Sequence, residues 1–446
     1  MPILTRGIAA AILAPLLAPL LALAAIPALA QSEAACPADL TEVARCYRGA
    51  DQHGANYWIA IPHQWNRSLV VHAHGGPRMS HATNDNNVED LERFAVTVKQ
   101  GFAWAGSAYR RPGYGVKLAA EDVENLRQLF VARFGQPRRT ILHGQSWGGN
   151  IAAKAIEMFP GARNGKPAYD GVVLTNGMLA GGTRNYLHRA DLRAVYQFYC
   201  NNHPRPDEPQ YPLWMGLPPD ATLKNKELAA RADECLGLAR PAAERSPAQQ
   251  RRLANILDVI RVPERSLQSH LNWATFTFRD LVKRNGHGNP FDNRHVVYRG
   301  SDDDAALNRG VTRFDADPAA VAALAAESDL NGKVDVPVIT LHAIDDPVAM
   351  VEYEDAYRAT LQAAGRDHLL LQAFTREQEH SKLADPQYVA VFATLLDWID
   401  SGKKPAVADI EAACATASAR FAGGCHIERD YRPAPLFSRV APRATP

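Results

Sequence analysis

Between Tyr57 and Thr175 the chain alternates short apolar runs with stretches of helical spacing, and no other feature restricts its fold so strongly. Residues 57–61 and 69–74 read as strands, the second an almost continuous apolar run suited to a strand buried on both faces. A polar loop follows, then an amphipathic helix around residues 88–99 and a strand at 102–108. Residues 121–134 place Val123, Leu126, Leu129, Phe130 and Ala132 at helical spacing, and Gly135-Gln136-Pro137 stops that helix. A strand at 139–143, a helix at 147–159 and a strand at 171–175 continue the series. Strand and helix in turn at this spacing predict an α/β fold with a mostly parallel, doubly wound sheet.

The alternation breaks after residue 182. Residues 183–331 are mainly helical in pattern, with a Pro-rich, aromatic stretch at 203–219, and strand patterns resume at 334–342 and 369–374. A last helix, 386–401, ends at Gly402. The expected organisation is a core in two parts, 31–182 and 332–403, interrupted by a helical cap at 183–331. A tail at 404–446 holds two cysteines and ends in Pro/Arg-rich sequence expected to be loosely ordered.

Residues 1–30 read as a secretion signal: Arg6, an Ala/Leu-rich stretch, then Ala28-Leu29-Ala30 as a small-x-small cleavage site before Gln31. The rival reading is a retained anchor, since the run is long enough to span a bilayer. Pro15, Pro19 and Pro27 interrupt it and favour cleavage, so the expectation is a periplasmic or extracellular protein free of the membrane. Export gives meaning to the six cysteines, Cys36, Cys46, Cys200, Cys235, Cys414 and Cys425, which include no Cys-x-x-Cys pair. In an oxidising compartment they predict three disulfides rather than a metal site. Local pairing is the default because short loops close at little entropic cost, although about fifteen connectivities exist. A formal net charge of +1 gives no global attraction to nucleic acid or an anionic membrane surface.

The chemistry concentrates at Gly144-Gln145-Ser146-Trp147-Gly148, set directly between a strand and a helix. A G-x-S-x-G match alone is weak. A strand-to-helix turn this tight, however, strains the serine backbone and lifts its Oγ to the carboxyl end of the sheet. The competing reading is an ordinary helix N-cap serine.

In this context the chain resembles the α/β-hydrolase superfamily. The resemblance implies a second oxyanion-hole segment after an earlier central strand, and His74-Gly75-Gly76-Pro77 stands there. It assigns the oxyanion donors to Trp147 N–H and to Gly76 N–H; Pro77 cannot donate, which leaves Gly75 as the alternative. The acid is implied within Asp345-Asp346-Pro347, after the strand that follows the cap, with Asp346 preferred because the family places proline behind the acid and Asp345 in reserve. The base is implied between the last strand and last helix, and His380 is the only histidine between Leu369 and that helix. Chain order Ser, Asp, His is that of the superfamily.

The resemblance implies a serine hydrolase working through an acyl-enzyme, with no metal or organic cofactor. An acyl substrate, small or oligomeric, is the expected partner. Carboxylic esters are the first expectation. His74-Gly75-Gly76-Pro77 with the serine motif is also similar to exported aminopeptidases of the prolyl aminopeptidase type, departing at Arg78, where those enzymes usually carry glycine. An aminopeptidase needs a cap carboxylate for the substrate ammonium, with Asp207, Glu208 and Asp302 to Asp304 as candidates. Cap aromatics such as Tyr196, Phe198, Tyr199, Tyr211, Trp214, Trp273, Phe276 and Phe278 could line a cleft or simply pack the cap. A third possibility is a silent binding protein on the same fold.

Overall fold

A computed structural model describes residues 1–2, 32–80, 83–161 and 167–443; the expected secretion signal falls almost wholly outside these residues. Nine strands form one sheet: β1 (Ser32–Ala34), β2 (Ala44–Ala50), β3 (Asn56–Pro62), β4 (Ser68–Ala73), β5 (Ala103–Ser107), β6 (Arg139–Gln145), β7 (Gly171–Thr175), β8 (Val338–Ala343) and β9 (Leu370–Thr375). Their order is β1-β2-β3-β5-β4-β6-β7-β8-β9. The β1–β2, β2–β3 and β3–β5 pairs are antiparallel and every pair from β5 through β4 to β9 is parallel. Set aside β1, and this is the α/β-hydrolase arrangement, with the G-x-S-x-G turn at the carboxyl end of a central strand.

The apolar runs explain why these strands sit inside. Strands β4, β5, β7 and β8 are buried at every position. Side chains alternate between faces, so Leu69, Val71 and Ala73 join one core while Val70 joins the other. The first core is covered by helices Val116–Phe134 and Trp147–Met158, the second by Ala95–Lys99 and Asp385–Ser401. Among the described residues, everything regular between β7 and β8 is helical, including Leu187–Cys200, Pro247–Ile260 and Glu264–Asn272. This segment is joined to the core by buried polar contacts: Tyr114 Oη donates to Ser328 Oγ at 2.9 Å, and Asn150 Nδ2 donates to Ser328 O at 3.0 Å.

The cysteines pair as Cys36–Cys46, Cys200–Cys235 and Cys414–Cys425. The tail departs from the loosely ordered expectation. Its helix Val407–Ala417 packs on Asp385–Ser401, and Ile427 bridges antiparallel to Thr375, so the tail covers the open edge of β9. Farther on, Arg439 pairs with Glu352 at 3.2 Å and donates to Arg261 O, and Arg443 pairs with the buried Asp191 at 2.7 Å. The tail therefore starts on the sheet and finishes on the helical segment. Among the described residues no helix is long and apolar enough to cross a membrane.

Candidate active site

Ser146 is the single residue between β6 and the helix Trp147–Met158, and its backbone sits at φ 58°, ψ −124°. For an L-residue that region costs of order 1–3 kcal/mol, so the surroundings must hold it there. They do so by close approach. A Cβ on Gly148 would come within 2.7 Å of His74 O, and one on Gly144 within 2.7 Å of Ala152 Cβ, so neither position accepts a side chain. Ser146 N–H donates to Thr175 O at 3.1 Å, and Ser146 O accepts from Gly149 and Met178 N–H, both at 2.9 Å. The strained turn is thus pinned from three sides.

The loops after β8 and β9 deliver a carboxylate and an imidazole to this hydroxyl. His380 Nε2 lies 2.8 Å from Ser146 Oγ, and His380 Nδ1 lies 2.8 Å from Asp346 Oδ2. Asp346 Oδ1 also accepts from Val348 N–H at 2.7 Å and Ala349 N–H at 2.8 Å, a turn that fixes the carboxylate inward. An ionised carboxylate only accepts, which places the hydrogen on His380 Nδ1 and leaves Nε2 to accept from the serine hydroxyl. Asp345, the neighbouring candidate, is exposed and makes no bond to His380.

Three buried groups near this line were not singled out from sequence. Asn176, at the end of β7 with φ 45°, donates from Nδ2 to His380 O at 2.8 Å and to Glu379 O at 3.0 Å. Its Oδ1 accepts from Ala343 N–H at 2.8 Å, so one side chain ties the acid-bearing strand to the histidine loop. Gln145 Nε2 adds a second donor to His380 O at 3.0 Å. Behind Asp346 lies His342, whose Nδ1 faces Glu354 Oε1 and whose Nε2 faces Ala349 O, both at 3.0 Å. Burial alone would strip its proton; the Glu354 bond and the Glu354 and Asp346 charges outweigh that and raise its pKa. Both ring nitrogens facing acceptors agrees with an imidazolium. The only advance signal was Asn176-Gly177 closing a parallel strand at the sheet's carboxyl end, where irregular backbone serves sites.

On the other side of Ser146, the His74–Pro77 segment leaves β4. His74 stacks on Tyr109 with ring centroids 4.0 Å apart, and Tyr109 Oη donates to His74 O at 3.1 Å. Burial pulls the His74 pKa down to about 3, so its ring is neutral. Gly75 and Gly76 border the same cavity as Ser146 and Trp147, a space of about 280 Å³. A Cβ on Gly75 would lie 3.3 Å from Ser146 Cβ, which shows how closely the two segments meet.

The core contributes Arg78, Glu89, Asp90 and Arg93 to the cavity wall. Arg78, the departure from the aminopeptidase pattern, pairs with Asp90 at 3.2 Å and with Glu89 at 3.5 Å, and Arg93 pairs with both acids as well. Burial pushes the Asp90 pKa up to about 6 against these arginines. The helical segment contributes Tyr186, Arg189 and Trp273. Trp273 starts a π-helical turn, Trp273–Thr277, between two ordinary helices, and its ring stacks on Tyr186 at 4.2 Å. Of the eight cap aromatics considered above, Trp273 alone borders this cavity; Tyr196 and Phe278, for example, are buried in the core. The cap carboxylates expected for an ammonium do not border it either. Glu208 pairs with Arg231, Asp302 with Arg251, Asp303 caps the helix Asp304–Gly310, and Asp304 accepts from Ser301 N–H. Among the described residues no group of three or more His, Cys, Asp or Glu is arranged to hold a metal ion.

No family model matches the chain. Over 118 residues it is 29% identical to an o-phthalyl amidase of Xanthobacter agilis, a match covering 26% of this chain and 24% of the amidase. Solved structures similar to it include the rice cell wall degrading esterase of Xanthomonas oryzae (13% identity, TM-score 0.43, 83% of this chain and 98% of that one). An esterase from Aspergillus oryzae is similar at 12% identity and TM-score 0.44, covering 81% of both chains. Candida antarctica lipase A is similar at 11% identity and TM-score 0.43, covering 84% of this chain and 82% of that one. At these TM-scores the structural likenesses add nothing to what strand order and side-chain geometry carry by themselves.

Proposed function

We propose that the chain is an exported serine hydrolase that cleaves carboxylic esters through an acyl-enzyme, with Ser146, His380 and Asp346 as its triad and residues 183–331 as the cap over the site. One observation carries this reading: the unbroken line from Asp346 through His380 to the hydroxyl of a strained Ser146. A free serine hydroxyl is a poor nucleophile and needs an adjacent base. His380 Nε2 takes the Ser146 proton as Oγ bonds to the substrate carbonyl carbon. Asp346 holds the imidazole tautomer and stabilises the imidazolium. The Gly76 and Trp147 N–H groups receive the oxyanion, and one such donor is typically worth about 3 kcal/mol in the transition state. His380 then protonates the departing alcohol, and water, deprotonated by His380, releases the acid from Ser146. Three disulfides support an oxidising compartment, periplasmic or extracellular.

Amide cleavage is the second reading, favoured by the amidase match. Its aminopeptidase form is weakened because Glu89 and Asp90, the carboxylates bordering the cavity near Ser146, already face Arg78 and Arg93. A fluorophosphonate probe should label wild type and not Ser146→Ala, and that variant should lose on the order of 10⁶-fold in kcat. Absence of labelling in both would leave a binding protein. p-Nitrophenyl acyl esters assayed beside aminoacyl-naphthylamides separate esterase from aminopeptidase.

A further inference from the structure

We propose that Arg189 binds a carboxylate on the substrate, so that the preferred substrates are acyl compounds carrying a second, anionic group. This rests on the hydrolase reading and adds the charge of the substrate to it.

Arg189 lies in the first turn of Leu187–Cys200, is 2% exposed, and borders the cavity that holds Ser146 and His380. Among the described residues no carboxylate lies within ion-pair distance of it. Its Nε donates to His270 Nδ1 at 3.2 Å, its Nη2 reaches Val348 O only at 3.5 Å, and its Nη1 is buried with no partner. His270 cannot supply a charge. Its Nε2–H donates to Pro347 O at 2.9 Å, and burial together with Arg189 holds its pKa down to about 3. The nearby anion, Asp346, is already engaged by His380 and two backbone N–H groups.

The guanidinium stacks 4.5 Å from the Trp273 ring centroid. A cation–π contact is worth about 0.5–2 kcal/mol, whereas burying a cation costs several kcal/mol, so stacking alone does not offset the burial. Arg193, one turn along, is equally buried and unpaired by any acid. It donates to the His203 carbonyl and does not border the cavity, so location, not burial, distinguishes Arg189. The remaining charges in the cavity wall cancel: Arg78 and Arg93 face Glu89 and Asp90. One positive charge is left over. A planar guanidinium matches a carboxylate in both charge and fork geometry, while a phosphate monoester brings nearer two negative charges.

The test uses the purified mature protein and two matched ester pairs. One pair puts the charge on the acyl side, mono-p-nitrophenyl glutarate against its methyl ester. The other puts it on the leaving group, 4-acetoxybenzoate against methyl 4-acetoxybenzoate. In wild type, one anionic ester should exceed its neutral partner in kcat/KM by roughly tenfold or more, because a site built to bond a polar group rejects the analogue lacking it. Which pair responds tells which side of the scissile bond Arg189 serves. Arg189→Met should bring that ratio to about unity or below, and Arg189→Lys should restore part of it. Glutarate should also slow fluorophosphonate labelling of wild-type Ser146 more than dimethyl glutarate does, a readout that needs neither turnover nor a folded variant. Equal or better use of the neutral esters with equal protection, or a charge preference that persists in Arg189→Met, overturns the proposal and leaves the hydrolase reading standing. Loss of both labelling and ester turnover in wild type defeats the hydrolase reading, and the proposal with it.

Discussion

Asn176→Ala should damage stability and catalysis together, because one buried amide holds both loops that meet at Ser146. The side chain makes three hydrogen bonds and the residue is 1% exposed. Losing Oδ1 orphans Ala343 N–H, which is wholly buried, at about 1–3 kcal/mol. Losing Nδ2 removes about 1 kcal/mol more, limited because Gln145 still donates to His380 O. Alanine at φ 45° adds about 1 kcal/mol that asparagine tolerates better. The expected loss is about 3–5 kcal/mol in urea unfolding. With His380 less firmly held, kcat/KM for p-nitrophenyl acetate should fall about 100-fold, the order of effect of a displacement near 1 Å. Asn176→Asp keeps the acceptor for Ala343 but sets a carboxylate oxygen against two carbonyl oxygens. Its deficit should therefore be large at pH 8 and smaller at pH 5, where a protonated acid can donate. An Asn176→Ala protein that unfolds within about 0.5 kcal/mol of wild type and reacts with fluorophosphonate at the same rate would refute the positioning role.

Other expectations are simpler. Asp346→Asn should lower kcat by about 10⁴-fold with thermal stability nearly unchanged, whereas Asp345→Asn should lie within a few-fold of wild type; the reverse pattern would reassign the acid. Burial pushes Glu157 up to about 7, above its unfolded value, so the folded chain holds that proton more tightly and stability falls as pH rises from about 4.5 to about 7. Glu157→Gln keeps an acceptor for Asn331 and Gly332 N–H and should gain up to about 3 kcal/mol on wild type between pH 5 and pH 8 in urea midpoints; parallel pH profiles would contradict this. Replacing Cys200 and Cys235 together by serine opens a loop with a separation of 35 residues and should cost about 4 kcal/mol, read as a lowered Tm under oxidising conditions only.

What could be read in advance was what local pattern controls. The strand β6, the turn at Ser146 and the helix after it are specified by a run of adjacent residues; Gly144 answers to the helix that follows it, whereas Gly148 answers to Ala73 and His74 of a distant segment. β1 and β2 escaped notice because few of their residues are buried (Ala44 and Cys46 alone), which blurs the apolar signal. The helix expected at 88–99 is two helices, Asn84–Arg93 and Ala95–Lys99, broken at Phe94. Asp345 and Asp346 could not be separated by spacing, since the choice depends on which one bonds the next backbone N–H groups. Asn176 reaches partners 167 and 204 positions away, and Arg189 looks in sequence like any arginine on a helix. Such residues acquire meaning only once distant segments converge.

The tail carries a consequence for traffic through the site. A chain end that begins along the outermost strand and is then paired with Glu352 of the core and with Asp191 of the overlying helices acts as a buckle across the seam between two halves of the molecule. Wide outward swinging of those helices would have to break the Arg439–Glu352 link, and the Arg443–Asp191 contact would have to carry the tail along. Parting the two halves therefore adds the cost of these contacts to any widening of the entrance.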